Sequence, residues 1–204
     1  MGVYKHKTLF LLIFSILLSK NVAVIAADYG KGFAAAKAGD YETAYAEWIT
    51  LANKGHMEAQ ASLALMYRKG LGVAASDKTA VEWYRKAAEQ GDASSIFNMG
   101  YMYYKGRGVL ESYSTAAEWF TKAARQGHAK AQGALGEMYS NGEGVAVNNI
   151  KAYMWLNLAA YNTSRYSNYV GKIKAELAKK MTVAQIGEAQ DRSSRCLESE
   201  YADC

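Results

Sequence analysis

Apolar and small residues recur along this chain at steps of three and four, and the whole pattern returns every 36 residues. In the central copy Ser95, Met99, Gly100, Met102 and Tyr103 fall on one side of a helix that turns about 100° per residue. Their counterparts are Ala59, Leu63, Ala64, Met66 and Tyr67 one period earlier, and Ala131, Leu135, Gly136, Met138 and Tyr139 one period later. The spacing predicts a helix over about 93–105, with these positions as its core side. A second shared set, Ala80/Ala116/Ala152, Tyr84/Phe120/Leu156 and Ala88/Ala124/Ala160, predicts a partner helix over about 113–126. The small residue at Ala64, Gly100 and Gly136 lets the two helices approach closely. Trp83, Trp119 and Trp155 keep the same period, which reads as inter-helix packing and not as a sugar-stacking platform.

The punctuation of the chain agrees with helix pairs. Ser76, Ser112 and Asn148 share the register just before the second helix, where a side-chain oxygen can accept an unpaired amide of the first turn. Gly55, Gly91 and Gly127 share the register where that helix ends, a place that favours a left-handed residue without a β-carbon. His56, Asp92 and His128 follow directly; a register that accepts His, Asp and His reads as a helix start and not as a catalytic base. The pairs Gly70/Gly72, Gly106/Gly108 and Gly142/Gly144 mimic half of a nucleotide loop, but they join helix to helix and lack the third glycine after a strand.

A fixed period of this length marks stacked helix pairs, in which no repeat buries its apolar face without a neighbour. The turns "KGLGV", "KGRGV" and "NGEGV", with "EWYRKAAEQG" and "EWFTKAARQG" between them, resemble the Sel-one-like repeat, a relative of the tetratricopeptide repeat. Three copies span 55–162. A tetratricopeptide-like helix pair, 28–54 ("AKAGDYETAYAEW"), precedes them, and capping helices, 163–204, follow; "MTVAQIGEAQ" is similar to the closing helix of bacterial members. The resemblance implies an all-α fold, a right-handed α/α solenoid of helix-turn-helix repeats that brings other proteins together, often in the bacterial envelope. Some secreted relatives with a disulfide in every repeat are linked to β-lactam binding or hydrolysis; this chain lacks those repeat cysteines.

The first 27 residues run from a basic start (Lys5, His6, Lys7) through an apolar centre (Thr8 to Leu18) to a small-residue exit at Ala26-Ala27, the order of a cleaved secretory signal. Lys20 and Asn21 halt the apolar run short of the roughly 20 residues a membrane anchor needs. The expectation is a periplasmic or secreted protein with no membrane span after cleavage. Losing Lys5, Lys7 and Lys20 reduces 24 basic residues to 21 against 19 acidic ones, so the net charge of +5 falls to about +2 and no broad nucleic-acid footprint remains. Lys172, Lys174, Lys179 and Lys180 read as the solvated side of one helix. Cys196 and Cys204, both within the last nine residues, read first as a disulfide that hooks the tail onto the final helix, with free thiols or a bond to another chain as alternatives. Two sulfurs with no histidine nearby make no metal site, and no cofactor is expected.

Catalytic motifs are missing: there is no H-E-x-x-H, no G-x-S-x-G and no serine three residues before a lysine. No catalytic residue is therefore assigned. Departures from the repeat mark where specificity resides. Phe97, Tyr101 and Tyr104 replace Ala61, Leu65 and Arg68 of one copy and Gly133, Glu137 and Ser140 of the other. Spaced i, i+4, i+7, they form an aromatic stripe away from the core side. One reading makes it the lining of a groove on the concave face, with Asn98 and Glu137 as polar contacts; the other packs Phe97 or Tyr101 on the next repeat. The function expected is an exported scaffold of the cell envelope binding a partner protein. The alternative is a cell-wall fragment or carbohydrate binder with weak β-lactamase-like hydrolysis.

Overall fold

A computed structural model describes residues 29–162, 167–202 and 204, and all regular structure among them is helical. The signal-like segment lies outside the described residues. The chain packs as two compact units divided after Ala75.

The first unit contains α1 (29–38), α2 (Tyr41–Asn53) and α3 (Met57–Lys69). Asp40 caps α2 through the Thr43 amide, and α2 packs on α3 with Trp48, Leu51, Leu63 and Met66 buried. The Tyr45 and Tyr67 hydroxyls meet at 2.9 Å. That bond, reinforced by burial, pushes the Tyr67 phenol up to about 12.

The second unit contains α4 (Asp77–Glu89), α5 (Ala93–Lys105), α6 (Tyr113–Ala124), α7 (Ala129–Asn141), α8 (Asn149–Asn162), α9 (Ser167–Ala178) and α10 (Val183–Glu198). Each helix from α4 to α8 packs on the next in sequence, and α8 also packs on α9 and α10. This neighbour-on-neighbour order is that of an α/α solenoid. Helix α5 begins and ends where its sequence pattern predicts, whereas α6 stops at Ala124, two residues early, with Arg125 as its C-cap.

Local chemistry sets the boundaries. Ser76 and Ser112 cap α4 and α6, and Asn148 accepts the Lys151 amide at the start of α8. His56, Asp92 and His128 are the N-caps of α3, α5 and α7, accepting the amides of Ala59, Ser95 and Ala131. Helices α3, α5 and α7 end on a left-handed glycine. The second glycine of each turn has a further reason: at Gly108 a β-carbon would stand 2.5 Å from the Asp77 carbonyl, and at Gly72 2.7 Å from that of Tyr41. The turn thus lies against the backbone that opens a neighbouring helix.

Two expectations change in the structure. The shared tyrosines Tyr67, Tyr103 and Tyr139 are half-buried and not core, since each hydroxyl must reach water or a partner. Lys174 is not solvated like Lys172, Lys179 and Lys180; its ammonium lies 5.0 Å from the Tyr153 ring centroid, and burial lowers its pKa. Gln60 and Gln132, unremarkable in sequence, are buried, and each donates its amide to the end of the preceding helix, at Ala52 and Ala124 carbonyls. The cysteine pair forms the expected disulfide between Cys196 and Cys204.

Candidate functional site

Helix α5 presents Phe97, Tyr101 and Tyr104 along one face, all half-buried. They line a groove of about 510 Å³ whose opposite wall is α7. The groove exists because the copies differ: α7 carries Gly133 where α5 carries Phe97, and a β-carbon built on Gly133 would meet nothing within 4 Å. Phe120 of α6 forms part of the lining, and Tyr169 of α9 adds another ring.

The stripe both packs against neighbouring rings and lines the groove. Phe97 packs sideways, with ring centroids 5.5 Å from Phe120 and 4.7 Å from His128, the latter stacked. Tyr104 sits 5.1 Å from Tyr113. The same rings turn their remaining faces to the groove. Asn98 does not join them: its amide donates to the Ser94 carbonyl at 2.9 Å, back onto its own helix. Glu137 lines the groove as its register suggests.

Two carboxylates reach this aromatic surface, each held by a tyrosine. Tyr104 donates to Glu143 at 2.7 Å, and Tyr169 donates to Glu137 at 3.1 Å. Asn141 fixes the other Glu143 oxygen at 3.2 Å. Donation to Glu143 raises the Tyr104 phenol well above its ordinary value. Burial raises the Glu137 carboxyl; Tyr169 opposes this and the Glu143 charge adds to it. Lys105 and Lys130 also line the groove and are exposed.

Glu143 and Tyr169 are not singled out in sequence, and Phe120 is read there only as a core position. Glu143 is the variable middle residue of a G-x-G turn, occupied by Leu71 and Arg107 in the other copies, and that variation was a usable signal. Tyr169 lies beyond the repeats, so no register points to it. Among the described residues no three His, Cys, Asp or Glu side chains gather to hold a metal, and no helix is long and apolar enough to cross a membrane. Aromatic faces beside fixed carboxylates are equipment for recognition.

No curated protein matches the chain. Among solved structures it is similar to a Sel1 repeat protein from Oxalobacter formigenes, with 30% identity and a TM-score of 0.65, covering 85% of this chain and 77% of that one. It is also similar to a protective antigen present in uropathogenic Escherichia coli strains displaying an SLR fold, with 26% identity and a TM-score of 0.55. That match covers 92% of this chain, which spans 50% of the antigen. Proteins of this repeat are in general non-catalytic protein-interaction scaffolds. The Sel1 repeat model matches residues 58–92, 93–128 and 129–164, more than half of the 204 residues, and the chain belongs to the Sel1 repeat family.

Proposed function

We propose that this protein is an exported scaffold of the cell envelope that holds a segment of a partner polypeptide in the groove between α5 and α7. The observation that carries the reading is the groove itself, about 510 Å³ and aromatic where the equivalent faces of the other repeats are not. Aromatic side chains half-exposed in a concavity are suited to anchoring a partner, since they bury large area at little entropic cost. Export to the periplasm or beyond is supported by the basic, apolar and small-residue order of the first 27 residues and by the Cys196–Cys204 disulfide, a bond that persists in oxidising compartments.

The test is an in-cell crosslink from a photoreactive residue at Tyr101, with the exposed Lys86 of α4 as control. A dominant polypeptide attached at Tyr101 and absent at Lys86 supports the groove reading. Attachment at Lys86 alone moves the binding surface elsewhere, and attachment of cell-wall glycan in place of protein replaces the reading with a carbohydrate binder. Recovery of the chain from the cytoplasm with its first 27 residues intact would remove the export part.

A further inference from the structure

We propose that the occupant of this groove is a polypeptide segment presenting an arginine, whose guanidinium lies on the aromatic faces and pairs with Glu137 and Glu143. The proposal rests on the groove reading above and deepens it. Three observations favour a cation. The carboxylates of Glu137 and Glu143 both line the groove, and among the described residues neither is joined to a lysine or arginine by an ion pair. Each is oriented by a tyrosine hydroxyl, Tyr169 on Glu137 and Tyr104 on Glu143, so the acceptors are held in place before anything binds. The ring of Tyr104 already attracts a cation, for the Lys105 ammonium lies 4.8 Å from its centroid.

A half-buried carboxylate facing a second one is an unfavourable arrangement without a counter-charge. Burial and the neighbouring Glu143 both raise the Glu137 carboxyl, so a cation beside it relieves that cost. Arginine fits better than lysine. Its planar guanidinium stacks on aromatic faces and donates in a fork to carboxylate oxygens, and it is more weakly hydrated than an ammonium. A groove of about 510 Å³ also has room for the apolar stem and for flanking side chains against Phe97, Ala134 and Met138. Lys105 and Lys130 are exposed members of the lining, and neither is ion-paired with Glu137 or Glu143.

The test uses four fluorescent pentapeptides, uncharged apart from the central residue, with leucines flanking arginine, lysine, citrulline or glutamate, titrated against the full mature chain by fluorescence polarisation. Citrulline keeps the shape of arginine and removes its charge without touching the protein. The arginine peptide should bind at least about tenfold more tightly than the citrulline peptide, in line with a charge-assisted pair. Glu137→Gln and Glu143→Gln should each reduce the arginine-over-citrulline preference severalfold. Equal affinity for arginine and citrulline, a preference for the glutamate peptide, or no binding by any of the four overturns the proposal. The groove reading fails separately, on the Tyr101 crosslink: a captured segment without arginine there sinks this proposal and keeps the groove.

Discussion

Arg107 and Asp77 form a two-pronged ion pair, with Nε and Nη2 each donating to a different Asp77 oxygen at 2.8 Å. Arg107 is the middle residue of the second G-x-G turn and Asp77 the first residue of α4, so the pair pins the turn to a helix start two elements back. Both side chains are about one-third exposed, at 38% and 31%, and solvent discounts the attraction. A double-mutant cycle with Arg107→Leu and Asp77→Asn should give a coupling of about 0.5–1 kcal/mol in urea unfolding, shrinking in 1 M salt. A coupling indistinguishable from zero at low salt would show that backbone packing alone holds the turn.

Backbone packing at the equivalent junction one repeat later predicts a larger effect. Gly144 has φ +68°, and the Tyr113 carbonyl stands where its β-carbon would be. Gly144→Ala should cost at least about 2 kcal/mol, from the left-handed conformation and the displaced backbone together. Gly171 in α9 has nothing within 4 Å of a built β-carbon. Gly171→Ala should therefore raise stability by about 0.5–1 kcal/mol, because alanine loses less backbone entropy in a helix. Two chemical denaturation curves compare them directly, and equal effects would contradict the structural difference between the sites.

Elements were more legible in the sequence than the site. Helix α5 reads correctly at both ends because Asp92 and Gly106 are local signals, an oxygen for the first turn and a residue free to turn left-handed. Phe97, Tyr101, Tyr104 and Glu137 are visible as departures from an aligned repeat. Glu143 also departs from Leu71 and Arg107 in its register, but only stacking carries that turn residue, and Tyr169 of α9, to the same groove. Asn98 shows the limit from the other side: a polar residue on the right helix face satisfied itself locally, at the Ser94 carbonyl, and sequence does not record side-chain direction. Gln60 and Gln132 escaped notice since Ile96 stands between them in register, and the mixture hides a buried amide.

The carboxyl-terminal tail is held at two points. Glu200 and Tyr201 both take left-handed backbone conformations, φ 50° and 71°, which non-glycine residues adopt only where the surroundings require it. Here the requirement comes from the Cys196–Cys204 disulfide and from Tyr201, whose hydroxyl meets the Asn162 side chain at 2.8 and 3.0 Å. Reduction should lower stability by about 2 kcal/mol, the entropy of a short closed loop. Tyr201→Phe should cost about 1 kcal/mol in the oxidised protein and clearly less in the reduced one, because a free tail no longer keeps the hydroxyl in place. Equal costs in both redox states would mean that Tyr201 docks without the disulfide.

His128 caps α7 as a neutral ring, and this gives the second unit a pH dependence of definite sign. Its Nδ1 accepts the Ala131 amide at 3.3 Å, which requires that nitrogen to be unprotonated, and its ring stacks on Phe97. Burial holds the imidazole below its ordinary pKa of 6.5, Lys130 pushes the same way, and a backbone hydrogen bond and Asp92 oppose. Well above pH 6.5 neither the folded nor the unfolded ring is charged, and the cap contributes fully. As pH falls below 6.5 the unfolded ring gains a proton that the folded ring refuses, so stability declines until the folded pKa is passed. The loss between pH 7 and pH 5 should be on the order of 1 kcal/mol, the usual worth of an N-cap. His128→Asn keeps a capping oxygen that does not titrate in this range, so it should flatten the profile while losing some of the Phe97 stacking at every pH. Thermal unfolding at half-unit pH intervals separates the two effects, and an unchanged slope in His128→Asn would place the pH dependence on another group.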